Sequence, residues 1–304
     1  MDILDQPRFT ETKHARSIES VLRDGYQFNF GDYLGRMFQL FGKTWANLLG
    51  HSAILFGSYL VVYVLIVLLM VGTVFSNMPR ANADGTMDPE VAADFGINML
   101  SNMIWIMLIM FIWFIVWVMP FRAGIYAHLD HAFNTERFDF GKFFEPIKRK
   151  WAKLIGLTLL NGLLTYGIST AAGVVMIQNM FENMPAMMAQ NDQEAALNFA
   201  SSVCSSMTWI FLSYIPLLFF AVAASLSVPI LLFQTDSVME AFTSSVKIVT
   251  RKWFHFAAVY IIVYVLSFLG VFACGIGLLL TMQFFPLVIY AIYEDIFVLQ
   301  NQTT

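Results

Sequence analysis

Five stretches of this sequence carry no Asp, Glu, Lys or Arg: 44–79, 95–121, 154–181, 195–235 and 253–293. A helix that crosses a bilayer needs about 20 apolar residues, because the hydrocarbon core is about 30 Å thick and each residue rises about 1.5 Å. The first four stretches each hold one such span. The fifth has 41 residues, roughly 60 Å as a helix, and must fold back on itself. Cys274-Gly275-Ile276-Gly277 near its middle supplies the turn, since glycine is permissive where a chain reverses. Spans are therefore expected near 50–74, 98–121, 154–177, 207–232, 255–273 and 278–293. Composition agrees: only 12% of residues are charged, against about 25% in soluble domains.

The distribution of positive charge orients these spans. Sixteen of the 17 Lys and Arg residues fall in 1–46, 122–153 and 234–252, and only Arg80 lies in a loop on the other side. The opposite loops, 76–96 and 178–200, carry Asp84, Asp88, Glu90, Asp94, Glu182, Asp192 and Glu194. Positive loops stay cytoplasmic, so both termini are expected inside. Residues 1–27 are polar and lack an apolar signal-peptide core. The net charge of −4, without a basic aromatic patch, argues against a nucleic-acid partner.

Three tryptophans, Trp45, Trp151 and Trp253, bring an internal repeat into register. Each follows basic residues: Lys43, Arg149-Lys150 and Arg251-Lys252. Apolar residues recur four, seven and eleven positions before each tryptophan: Phe41, Phe38, Leu34; Ile147, Phe144, Phe140; Val249, Val246, Phe242. That spacing is one helical face. A span follows each tryptophan, and then a second span that carries a proline, Pro120, Pro229 or Pro286, with Pro216 a further one in 207–232. The expected architecture is all-α and polytopic: six transmembrane helices as three hairpin repeats (about 31–126, 138–233 and 236–295), each preceded by an amphipathic interfacial helix. A segment 1–30 and a tail 298–304 flank the domain on the cytoplasmic side. The helices 32–45, 140–151 and 237–253 should lie on the membrane surface and bend sharply into their spans. Trp45, Trp151, Trp253, Lys43, Arg149 and Arg251 would be the anchors, Asp32, Asp139 and Asp236 stand near the starts as N-caps, and anionic lipid would be the partner of the basic collar. Arg36 belongs to the polar face of the first helix.

Val228-Pro229-Ile230-Leu231-Leu232, Asp236, Glu240-Ala241-Phe242, Arg251-Lys252-Trp253-Phe254, Cys274-Gly275-Ile276-Gly277 and Tyr290-Ala291-Ile292-Tyr293-Glu294-Asp295 form one further pattern. It resembles a broad group of uncharacterised bacterial inner-membrane proteins, similar to the membrane domain associated with glycerophosphodiester phosphodiesterases. The resemblance is best over 225–295, with an echo at Pro120-Phe121-Arg122-Ala123-Gly124. It implies topology and a bacterial inner-membrane location rather than an activity. The fused phosphodiesterases add a soluble catalytic domain, and the few residues after the last span leave no room for one here.

Candidate chemistry is sparse. His128 and His131 stand three apart with Asp130 between them, a spacing a metal could use, but no third ligand lies at ligand spacing. Met176, Met180, Met184 and Met187 form a helical stripe at the outer end of the third span, where thioethers could capture Cu(I); an apolar helix face is the plainer reading. Cys204 and Cys274 both fall on the outer side, a candidate disulfide. Polar residues inside the spans are mild: Asn102, Asn161, Thr165, Ser225, Ser227, Ser267 and Gln283. No nucleophile set, phosphate loop or cofactor motif is present. The expectation is a non-enzymatic inner-membrane scaffold or envelope-related factor without catalytic residues or cofactor. A channel or transporter for a small or lipid-like solute is the alternative. A solid apolar bundle would favour the first, and a polar cavity among the spans the second.

Overall fold

The structure is a computed structural model that describes residues 16–77, 89–135, 139–188, 214–272 and 276–299, together with Ser201, Cys204, Met207, Thr208 and Leu212. Every regular element among them is helical. In chain order these are α1 (Ile18–Asp24), α2 (Phe30–Asn77), α3 (Pro89–Trp113), a π turn (Phe114–Val118) and α4 (Met119–Thr135). A 3-10 turn (Phe140–Phe144) then leads into α5 (Glu145–Met188), and α6 covers 214–223. The chain continues through α7 (Ser227–Phe233), α8 (Val238–Arg251), α9 (Trp253–Leu269), α10 (Ile276–Thr281) and α11 (Phe284–Glu294). Among the described residues, five stretches are long and apolar enough to cross a membrane: Phe30–Phe75, Ile104–Ala132, Tyr214–Phe233, Trp253–Phe272 and Gly277–Leu299. The chain is an all-helical, multi-pass membrane protein. The span expected at 154–177 lies within α5, whose side chains beyond Gly167 are outside the described residues.

Burial divides the molecule into two levels. On α2, Tyr33, Met37, Leu40, Thr44, Leu48, His51 and Ser52 are buried, one stripe at helical spacing. From Phe56 to Phe75 the same helix exposes large apolar side chains. On the third and fourth helices the exposed apolar side chains run from Ile104 to Val116, and α4 beyond them is largely buried. A surface of exposed Leu, Val, Phe and Ile is stable against lipid rather than water. The packed half therefore lies at the charged end of the helices, and the apolar ends project from it. The final stretch, Gly277–Leu299, is the most deeply buried of the five.

Helical geometry is interrupted before two of the three tryptophans and not before the first. Lys150 (φ −130°, ψ 21°) and Lys252 (φ −131°, ψ 38°) break the helix one residue before Trp151 and Trp253. Lys150 Nζ donates to the carbonyls of Leu231 (2.7 Å), Leu232 (3.2 Å) and Thr235 (3.2 Å), so it caps the orphan carbonyls at the end of α7. Lys252 Nζ sits 5.2 Å from the centre of the Tyr26 ring, a cation–π pair. Before Trp45 the corresponding residue is Thr44. Its hydroxyl donates to Leu40 O at 2.7 Å, the residue stays helical, and α2 runs unbroken through Trp45. No separate surface helix precedes the first span.

The apolar stripes also meet protein more than headgroups. Leu34, Phe41, Phe140, Phe144, Ile147, Phe242 and Trp253 pack on the core, and Val249 is wholly buried. Phe38, Trp45 and Trp151 remain about half exposed. Lys43, Arg149 and Arg251 are exposed, and Arg149 pairs with Glu145 at 3.0 Å. Arg36 departs from its expected place in water: it is 7% exposed and pairs with Glu294 of α11 at 3.4 Å. Of the expected N-caps, Asp139 accepts from Gly141 N at 2.8 Å, Asp32 falls inside the first turn of α2, and Ser237 rather than Asp236 caps α8. Asp236 instead bridges to Lys153 (2.9 Å) and Lys150 (3.0 Å), whose ammonium groups hold its carboxyl below the usual carboxylate range.

Candidate functional site: a cavity at three helix breaks

Pro120, Pro229 and Pro286 each stand just after an interruption of regular α-helix, a π turn within a continuous helix at the first and short turns at the other two, whereas Pro216, the other proline of the span expected at 207–232, stands inside α6. Pro120 is the second residue of α4, directly after the π turn. Pro229 is the third residue of α7, after a turn at 224–226. Pro286 is the third residue of α11, after a turn at 282–283. A proline lacks the N–H that an interior helical position must donate, and its ring collides with the carbonyl four residues back. The first turn of a helix is where neither defect matters. The breaks suit these three prolines for that reason, and neighbouring side chains hold them open. Ser245 Oγ accepts from Leu226 N (3.1 Å) and donates to Ala223 O (2.8 Å), satisfying backbone that the second break would leave bare. At the first break, Trp151 Nε1 donates to the Val116 carbonyl at 2.9 Å. At the third, the side-chain amide of Gln283 donates to Ser52 Oγ.

The three breaks converge on one cavity of about 760 Å³. Phe114, Met119, Arg122, Ala123 and Tyr126 form one wall; Leu154, Leu157, Thr158, Asn161, Gly162 and Thr165 of α5 form another. Ala224, Ser225, Ser227 and Val228 come from the second break, Phe285, Pro286 and Ile289 from α11, and Tyr260 from α9. The volume lies within the range of small-molecule sites, about 300–1,000 Å³, and the lining is mainly apolar with a few polar groups, as in such sites. Irregular backbone at membrane depth is tolerated where it lines a cavity.

Most of the polar lining is committed locally. Thr158, Thr165 and Ser227 donate to the carbonyls of Leu154, Asn161 and Ala224. Asn161 Oδ1 is buried and has no hydrogen-bond partner among the described residues. Arg122 was counted in a loop on the sequence alone; it stands inside the continuous helical stretch Ile104–Ala132, exposed to the cavity. Its guanidinium has no ion pair or hydrogen bond among the described residues, and no Asp or Glu lines the cavity. The charge count missed it because a charged residue after an apolar run reads as the end of the span, although α4 continues to Thr135.

A smaller cavity of about 280 Å³ lies at the charged end, lined by Asp130, His131, Lys142, Glu145, Arg149 and Lys150 among others. Lys142 pairs with Glu145 at 3.0 Å, so this cluster is in part internally neutralised. The His128 ring stacks on Phe143 at 4.3 Å, with Nδ1 3.2 Å from Asp139 O. Among the described residues no group of three His, Cys, Asp or Glu could hold a metal ion. The side chains of Met176, Met180, Met184 and Met187 lie outside the described residues. Cys204 is exposed, and Cys274, its candidate disulfide partner, lies outside them.

No family model, curated protein or solved structure matches this chain.

Proposed function

We propose that this protein takes a lipid-like solute into the cavity at its three helix breaks and moves or presents it across part of the membrane. The carrying observation is the convergence of three proline-marked interruptions on one mainly apolar space. Discontinuous helices meeting at a cavity are the usual construction of solute sites in transporters. A scaffold would be served by a bundle packed solid at this level, so the cavity weighs toward the solute reading. The matching breaks before Trp151 and Trp253, and before Pro120, Pro229 and Pro286, support the three-hairpin repeat. The resemblance to bacterial inner-membrane domains associated with glycerophosphodiester phosphodiesterases is consistent with a lipid environment and belongs to the same proposal.

Occupancy is tested on the full-length protein purified in mild detergent, with retained lipid identified by native mass spectrometry. The wild type should carry phospholipid. Thr158→Phe combined with Ala224→Leu adds bulk to two walls and should lower retention by at least about tenfold, as expected when a buried apolar contact surface is lost. Equal retention in the filled variant would overturn the reading.

The six-span, both-termini-inside arrangement is part of the proposal, supported by the distribution of Lys and Arg. Reporter fusions after Asn77 and Gln190 should report the external side; fusions after Asn134, Asp236 and Gln300 should report the cytoplasm. An internal signal at Gln190 would overturn the six-span arrangement.

A further inference from the structure

Among the described residues Arg122 is the one charged residue on the cavity wall, and no Asp or Glu lines the cavity. It is exposed and has no ion pair among the described residues. A cation within a membrane-spanning stretch is costly unless it meets water or a counter-charge, which makes such a residue a pointer to a ligand. Its place along the helix is informative. The last large exposed apolar residue on that helix is Val116, and Arg122 follows six positions later, about 9 Å toward the charged end. The cavity wall from Tyr126 to Phe114 extends about 18 Å along the same helix, over half of a hydrocarbon core about 30 Å thick. The cavity thus has a cationic end at the charged margin and an apolar body reaching inward.

An acidic headgroup with acyl chains has the complementary arrangement. We infer that the cavity is a binding site for an anionic phospholipid, with the phosphodiester held by the Arg122 guanidinium and the chains along Leu157 and Phe285. The inference rests on the lipid-occupancy reading and adds the headgroup class to it. Arginine suits the role because its planar fork meets phosphate oxygens in pairs, which lysine does not.

The test uses full-length protein in nanodiscs of equimolar phosphatidylglycerol and phosphatidylcholine with matched chains, extracted and read by native mass spectrometry. The wild type should retain phosphatidylglycerol preferentially. Arg122→Gln should lower the ratio of the two lipids by about tenfold, the loss expected for one charged hydrogen-bonded contact, and Arg122→Lys should give an intermediate ratio. Raising salt from 0.1 to 1 M should also reduce the wild-type ratio, because an exposed cation is screened; this measurement serves if the Gln variant does not fold. Inorganic phosphate at tens of millimolar should displace neither lipid, and displacement would mean a free-anion site and overturn the inference. An unchanged ratio in Arg122→Gln, with both lipids stripped by the Thr158→Phe and Ala224→Leu pair, would overturn the headgroup anchor and leave lipid occupancy standing. Retention of both lipids by that pair would overturn the occupancy reading itself.

Discussion

Glu294→Ala is expected to destabilise the protein by about 3–5 kcal/mol, the usual cost of stranding one member of a buried ion pair. Glu294 closes α11, and its carboxylate stands 3.4 Å from Arg36 of α2, with both side chains 8% exposed. Removing the carboxylate leaves the guanidinium enclosed by helices that cannot hydrate it, and arginine does not shed its charge. Tyr33, one helical turn from Arg36 on α2, donates to Asp295, the residue after Glu294, at 2.7 Å, which would hold the two elements together and so prevent water from reaching Arg36. The double variant Arg36→Met, Glu294→Leu should recover most of the loss, because no charge is then buried. Unfolding in detergent followed by near-UV circular dichroism measures all three variants. Near-additive losses in the double variant would show that the two side chains act separately.

The same ion pair shows what can be read along the chain and what cannot. The spans are legible because a bilayer excludes charge, and the absence of charge is visible without knowing any contact. The prolines are legible as marks in the second spans, but where the helix is interrupted is not, since Pro216 stands inside α6. Arg36 was not legible: its partner is 258 residues away, and a charge on a helical stripe reads as solvated unless the opposing helix is known. The unbroken course of α2 through Trp45 has a similar cause. Thr44 replaces the lysine that caps α7 from position 150, and that capping contact is tertiary. For the cavity, single lining residues such as Asn161 and Ser225 were visible as polar marks in spans, whereas the meeting of three breaks is a property of packing. Arg122 was visible and misassigned, since charge ends a span in composition but does not end a helix.

Two glycine-to-alanine substitutions should shift stability in opposite directions, although both lie inside helices. An ideal Cβ at Gly124 of α4 would overlap the carbonyl oxygen of Phe143 and lie 2.7 Å and 2.8 Å from its C and Cα. Those atoms are backbone, so no rotamer change relieves the overlap. The Phe143 ring lies near two histidines, 4.3 Å from His128 and 4.8 Å from His51. His51 is also stacked on Phe121 at 4.4 Å, with Nε2 3.0 Å from its carbonyl. Moving Phe143 outward would disturb that whole group, so Gly124→Ala should cost about 3 kcal/mol, at the upper end for overpacking a core. The helical preference for alanine over glycine, about 1 kcal/mol, works against this loss and is too small to reverse it. At Gly42 of α2 a Cβ meets nothing within 4 Å. There the preference acts alone, and Gly42→Ala should stabilise by about 0.5–1 kcal/mol. Thermal unfolding of both variants in one detergent decides the matter. Equal shifts of the same sign would mean that α4 does not pass against the Phe140–Phe144 turn as closely as described, and the wall of the cavity carrying Arg122 would then have to be redrawn.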